Sequence, residues 1–127
     1  MENDPFKSYQ SVSVGAQAAQ ASPVQLVLML MDGLLDELAR ARAHIEHRRY
    51  ELKAASLNKC TLMLAGLSSA LEEDGGEVVD NLMRLYAYCS ERLFQAGVKL
   101  DVAIVDEVVG ILKTLREGWQ GLLDRNG

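Results

Sequence analysis

No proline follows Pro23 in this chain of 127 residues. Proline ends helices because it lacks an amide donor and its ring collides with the preceding turn. Its absence leaves the rest of the chain free to form long helices, and apolar residues recur there at spacings of three and four, the period of one helix face. Four helical segments are expected. The first opens at Ser22-Pro23-Val24-Gln25, which combines a serine N-cap, proline at the first helical position and glutamine at the third, the pattern of a capping box. It runs to about Arg48. The second, about Tyr50 to Leu71, ends in EEDGG, where Gly75 or Gly76 can take the left-handed conformation that terminates helices. The third spans about Glu77 to Ala96 and stops at Gly97. The fourth starts after Asp101, a good N-cap, and continues through Trp119 to about Leu123. Four long helices joined by short turns specify an all-α, antiparallel up-down four-helix bundle over residues 22–127. Residues 1–21 are polar and small, with Phe6, Tyr9, Val12 and Val14 as anchors, and read as a flexible N-terminal tail.

Composition removes several function classes. Thirteen Lys+Arg against 18 Asp+Glu give a net charge of -5, which argues against a nucleic-acid partner held by phosphate attraction. The basic cluster His47-Arg48-Arg49 is flanked by Glu46 and Glu51 and reads as a solvated helix end. The longest apolar run is interrupted by Asp32 and Asp36 before it reaches the ~20 residues of a bilayer span, so no membrane insertion is expected. The opening MENDPFKSYQ lacks the basic-then-apolar order of a signal peptide, and a cytoplasmic protein is expected. Cys60 and Cys89 fall among apolar residues and read as small buried side chains. His44 and His47 share one helix without the Glu-x-x-His pairs of a di-iron bundle, so neither a metal nor another cofactor is expected. His47 also lacks the lysine-glycine pattern that histidine phosphotransfer bundles place after their histidine. An enzyme is not expected.

Helical wheels expose a surplus. In the fourth helix Val105, Val108, Leu112, Leu115, Trp119 and Leu122 share a single core face. The first helix has a core stripe of Leu26, Val27, Leu30, Leu34, Leu38, Ala41 and Ile45, and beside it a second stripe of Leu28, Met31, Leu35 and Ala39. The second helix turns Leu57, Cys60, Leu64, Leu67 and Leu71 inward and carries Ala55, Asn58, Leu62, Ala65, Gly66 and Ser69 on the other side. The third adds Met83, Ala87, Ser90 and Phe94 to a core row of Val78, Leu82, Leu85, Tyr86, Cys89 and Leu93. Three helices therefore carry more apolar surface than a four-helix core needs. Either their faces are simply wide, or the extra rows form grooves for a guest helix; a continuous apolar patch marks the second case. On that reading Leu28, Met31, Leu35, Leu62, Gly66, Met83, Ala87 and Phe94 contact a partner, and Phe6 and Tyr9 cover the groove when it is empty.

The order of these pieces resembles one family. Tyr9 lies in a polar tail, followed by ASPVQLVLMLMDGLLDELARAR, then GGEVVDNLMRLYAYCSERL, then LREGW. The strongest matches are Ser22-Pro23 with Leu26, Leu30, Asp32 and Gly33, then Asn81-Leu82 with Leu85-Tyr86, and Trp119. This arrangement resembles the flagellar export chaperones of the FliS family over nearly the whole chain. Two positions depart from the family pattern: Met31 stands where relatives commonly have tyrosine, and Gly97 where they have asparagine. The resemblance implies a cytoplasmic protein that holds the disordered C-terminal segment of flagellin in apolar grooves, blocks premature polymerisation and delivers the complex to a component of the export gate. The competing readings are a homodimer or other helical homo-oligomer that packs the same stripes on another copy as a structural adaptor, and a histidine phosphotransfer bundle.

Overall fold

The computed structural model of the protein describes residues 21–71 and 75–126. They form four helices: α1 (Pro23–Glu46), α2 (Tyr50–Ser69), α3 (Gly76–Lys99) and α4 (Val102–Asn126). Each helix packs on its neighbours in sequence, and α4 closes back on α1. The result is the expected up-down bundle, a square with four seams.

Local chemistry sets the ends. Ser22 accepts a hydrogen bond from the Gln25 amide at 3.2 Å, and the Gln25 side chain accepts one from the Ser22 amide at 2.7 Å, which completes the capping box. Asp101 caps α4 by accepting from the Ala103 amide at 2.9 Å. The α1–α2 and α3–α4 turns lie at the same end of the bundle, and each passes through a left-handed non-glycine residue, Arg48 at φ 56° and Leu100 at φ 54°. Gly76, at φ 75°, supplies the left-handed residue at the start of α3.

Gly97 corrects an expectation. It does not stop α3, which continues to Lys99 and is capped by Leu100. A Cβ added at Gly97 would stand 2.9 Å from Cδ1 of Leu57. The glycine is thus an approach point between α2 and α3 rather than a turn.

The core joins Val27, Met31, Leu34, Leu38, Ala41 and Ile45 of α1 to Leu57, Cys60, Leu64 and Leu67 of α2, Tyr86, Cys89, Leu93 and Ala96 of α3, and Ile104, Val105, Val108 and Leu112 of α4. Leu26 and Val78, read as core from the wheels, are exposed at the helix starts. Both cysteines are buried, and burial pushes the Cys60 thiol up to about 12 and the Cys89 thiol to about 11, so neither is a thiolate near neutrality.

Among the described residues two polar or charged side chains are buried, Glu37 and Ser56, and the buried Tyr86 adds a hydroxyl. Glu37 of α1 is buried and accepts hydrogen bonds from Ser56 of α2 and from Arg40 Nε and Nη2 at 3.2 and 2.9 Å. Burial pushes its carboxyl up, but the Ser56 and Arg40 hydrogen bonds outweigh that and hold it below the usual carboxylate range.

Candidate protein-docking cleft

The four seams are closed to different degrees. Across α1/α4, Arg42 makes two hydrogen bonds to Asp106, at 2.8 and 3.1 Å, and Arg116 makes two to Asp32, at 2.5 and 3.2 Å. Both are forked guanidinium–carboxylate pairs. Leu28, Met31, Leu35 and Ala39 lie on this flank of α1, in the same arc as Asp32 and Arg42. Met31 is completely buried, Leu28 is 6% exposed, and Leu35 packs on the core. The second stripe of α1 is therefore largely covered by α4, apart from the exposed Ala39 and a cleft of about 410 Å³ beside Leu28. A bundle helix must serve two neighbours, and this row serves α4.

The α1/α2 seam is also filled. A Cβ at Gly66 would lie 3.3 Å from Cδ2 of Leu30, so Gly66 seats α1 rather than a guest. Across α3/α4, Glu107 accepts from Arg92 at 2.7 Å and from the Tyr88 hydroxyl at 2.6 Å.

Clefts of about 410 and 380 Å³ lie at the α1/α4 and α3/α4 seams, and the α2/α3 seam differs from them in the large exposed apolar side chains on its wall. Among the described residues one side-chain hydrogen bond crosses it, from Lys53 Nζ to the Gly97 carbonyl at 3.0 Å. Beside that bond is a cleft of about 370 Å³, lined by Lys53, Ala54, Leu57, Asn58 and Thr61 of α2 and by Leu93, Phe94, Gly97 and Val98 of α3. Its floor is Leu57 and Leu93, both buried, while Phe94 and Val98 on its wall are 68% and 69% exposed. Met83 and Ala87 extend the α3 wall at helical spacing, and both are exposed. Ala54, Asn58, Thr61 and Ala65 form the lower α2 wall, with Leu62 pointing outward at its rim. Alanine and threonine keep the α2 wall low.

Of the residues expected to contact a partner, Met83, Ala87, Phe94 and Leu62 fall on or beside this track. Leu28 and Met31 are buried, Leu35 is half-buried against the core, and Gly66 is half-buried beneath Leu30. Sequence reasoning missed Lys53, Ala54, Val98 and Gly97; the signal was available in the spacing of Val98 from Phe94, hidden by ending α3 at Gly97. Phe6 and Tyr9 lie outside the described residues. The histidines do not converge: His44 Nδ1 accepts from Arg49 Nε at 3.0 Å, and His47 Nδ1 is engaged with the Ala43 carbonyl at 2.9 Å. Among the described residues no cluster of His, Cys, Asp or Glu has metal-holding geometry, and no helix is long and apolar enough to cross a membrane.

The sequence profile of the family described as "Flagellar protein FliS" matches residues 5–126. The chain belongs to the FliS family. Among FliS proteins, the flagellar secretion chaperone FliSB of Pseudomonas aeruginosa is 39% identical over 92% of this chain and 94% of its own length. The flagellar secretion chaperone FliS of Salmonella typhimurium is 38% identical over 91% of this chain and 87% of its own. A crystal structure of a bacterial flagellar chaperone superposes with a TM-score of 0.77 over 95% of this chain and 99% of that one, at 18% identity, and shares the fold. Met31 is a core-packing residue that fills space between helices. Gly97 bears on the cleft, because Leu57 packs close beneath it.

Proposed function

We propose that this chain is a cytoplasmic flagellar export chaperone that binds the C-terminal segment of flagellin in the α2/α3 cleft. The observation that carries this reading is the exposed apolar track of Met83, Ala87, Phe94 and Val98 along a weakly bridged seam of a FliS-family bundle. An apolar track with a low wall suits helix-in-groove recognition, in which a guest's apolar side chains dock at helical spacing. The action is binding rather than catalysis: covering flagellin's assembly surface prevents polymerisation, and the bound segment is kept in a form that can be passed to the export gate.

Titration with the C-terminal segment of the flagellin encoded in the same genome tests this. Wild-type protein binds with 1:1 stoichiometry, and Phe94→Asp loses at least about a hundredfold in affinity, since it removes roughly 2 kcal/mol of apolar burial and adds a desolvated charge. Equal binding by wild type and Phe94→Asp overturns the assignment of the cleft. A self-association that persists on dilution and is unchanged by flagellin favours the homo-oligomer instead.

Phe6 and Tyr9 enter the same proposal as intramolecular competitors for the apolar track, acting at high effective concentration. Deleting residues 1–20 then strengthens flagellin binding and increases self-association of the free protein. Weaker binding after deletion, with the bundle intact, makes the segment part of the site.

A further inference from the structure

The cleft contains a charge that its apolar lining does not require. Lys53 is half-buried, and its ammonium donates one hydrogen bond, to the Gly97 carbonyl at 3.0 Å. It lies 5.9 Å from the centre of the Tyr50 ring, at the outer limit of a cation–π contact. Among the described residues it is a partly buried cation with no ion pair, whereas the other partly buried ones, Arg42, Arg92 and Arg116, each have one; the remaining unpaired Lys and Arg side chains are exposed. An ammonium carries three donors, and a partly desolvated cation gains most from a carboxylate. The surrounding helix is also unusual in sign. Between Tyr50 and Ser69, two lysines (53 and 59) face one glutamate (51), a balance of +1 in a chain of net charge -5.

We propose that Lys53 is a specificity-determining residue of the cleft, its ammonium pairing with an aspartate or glutamate side chain that lies among the apolar anchors of the bound segment. This rests on the chaperone reading given above. Tyr50 and Leu100, at the same end of the bundle as Lys53, are exposed, and the proposed segment runs on over them. The carboxylate therefore belongs to an internal side chain, not to a chain terminus. Phe94 and Val98 accept the apolar anchors, and Lys53 fixes their register, because only one placement of the segment brings its acidic group to the ammonium. An apolar track alone tolerates sliding by a helical turn; a single charged contact does not.

The test uses the whole chaperone and synthetic C-terminal flagellin segments in which each Asp or Glu is changed in turn to Asn or Gln, with a C-terminally amidated segment alongside. One substitution weakens binding to the wild-type chaperone about fivefold, the effect of a partly exposed ion pair, while amidation has no effect. Lys53→Met keeps the aliphatic stem against the cleft, weakens the native segment by the same factor, and binds the critical neutralised segment no worse than the native one. The paired change, Lys53→Glu with lysine at the critical segment position, restores affinity. The proposal is overturned if no neutralised segment differs from the native one, or if the Lys53→Met loss is equal for all segments, which reduces Lys53 to a cap on the α3 carbonyl. Amidation as the only effective change also overturns it, in favour of a terminal carboxylate. The segment-side substitutions leave the chaperone unaltered, so they decide the matter even where a Lys53 variant melts early. Phe94→Asp distinguishes the two levels: if it loses binding while every acidic substitution is silent, the cleft stands and the Lys53 role falls.

Discussion

The α1/α4 and α2/α3 seams start from similar sequence material and end differently. Both pair a helix with a surplus apolar row, Leu28-Met31-Leu35 on α1 and Met83-Ala87-Phe94-Val98 on α3. On α1 the row is bracketed by Asp32 and Arg42, and each finds an opposite charge on α4. The two forked pairs hold α4 over the row, and Met31 disappears completely. On α3 the row has no such rungs, α2 offers alanines and threonine opposite it, and Phe94 stays largely in water. Between these two seams the difference lies in the matched charges beside the apolar row, more than in the row's hydrophobicity; the α1/α2 seam is filled without an ion pair, by close packing of Gly66 on Leu30 and the Ser56–Glu37 contact.

The sharpest way to break this contrast is to place the same charge in both rows. Met31→Asp buries a carboxylate with no partner, a penalty of several kcal/mol that rivals the whole stability of a domain this size. Its cooperative melt, followed by far-UV circular dichroism, should be lost or fall by tens of degrees. Phe94→Asp should melt within a few degrees of wild type. If the two variants melt alike, the seams do not differ in the way described.

A finer contrast lies along the docking track. Leu62 is exposed but points away from the cleft, so Leu62→Asp should weaken flagellin binding far less than Phe94→Asp. Isothermal titration of the two variants decides between a defined cleft and a diffuse sticky face, for which both losses would be equal.

The helices, their caps and most of the inward rows were legible in the sequence, because the 3.6-residue period and capping chemistry are local. Which surplus row is covered was not, because that depends on the neighbour across each flank. Asp32 and Arg42 on α1, with Asp106 and Arg116 the same ten residues apart on α4, were the available sign that Met31 faces a partner inside the protein. Gly97 was misread because glycine serves two purposes: it ends helices where φ must be positive, and it admits close helix contact, and only Leu57 beneath it shows which applies here. Glu37 and Ser56 were passed over since a buried carboxylate looks like any charged residue until its partner on α2 is known.

That buried pair gives an effect of intermediate size and a pH signature. Because the Glu37 carboxyl titrates below its ordinary 4.5 in the folded chain, its contribution is complete above about that pH and is lost as pH falls through the folded value. Glu37→Gln should cost about 1 kcal/mol at neutral pH and flatten the decline in stability below pH 4.5. Urea midpoints measured from pH 3 to 7 should show the two curves converging in acid; parallel curves would remove Glu37 from the acid transition.

The smallest effect tests the α1/α4 rungs themselves. Both arginines and both carboxylates are partly exposed, with side-chain exposures of 37% and 51% for Arg42 and Asp106 and 34% and 52% for Arg116 and Asp32, so solvent and salt screen them strongly. Their role is to choose which helix face lies against α4, and only secondarily to add stability. Arg116→Gln should lower the melting midpoint by a few degrees at most, and the difference should shrink in high salt. The Arg42 hydrogen bonds hold the Asp106 carboxyl below its ordinary 3.8, so that rung persists above this pH and weakens as pH falls through the folded value. Removing both rungs together, in Arg42→Gln/Arg116→Gln, should raise hydrogen exchange at α4 amides before it alters the global melt, because α4 then rests on the apolar row alone. If the double variant instead gains an exposed apolar surface that binds flagellin, matched charge is what keeps the α1 row out of the docking site. If exchange at α4 is unchanged, Met31 and its neighbours hold the seam without the ion pairs, and the difference between the two seams must be sought in the width of the opposing helix.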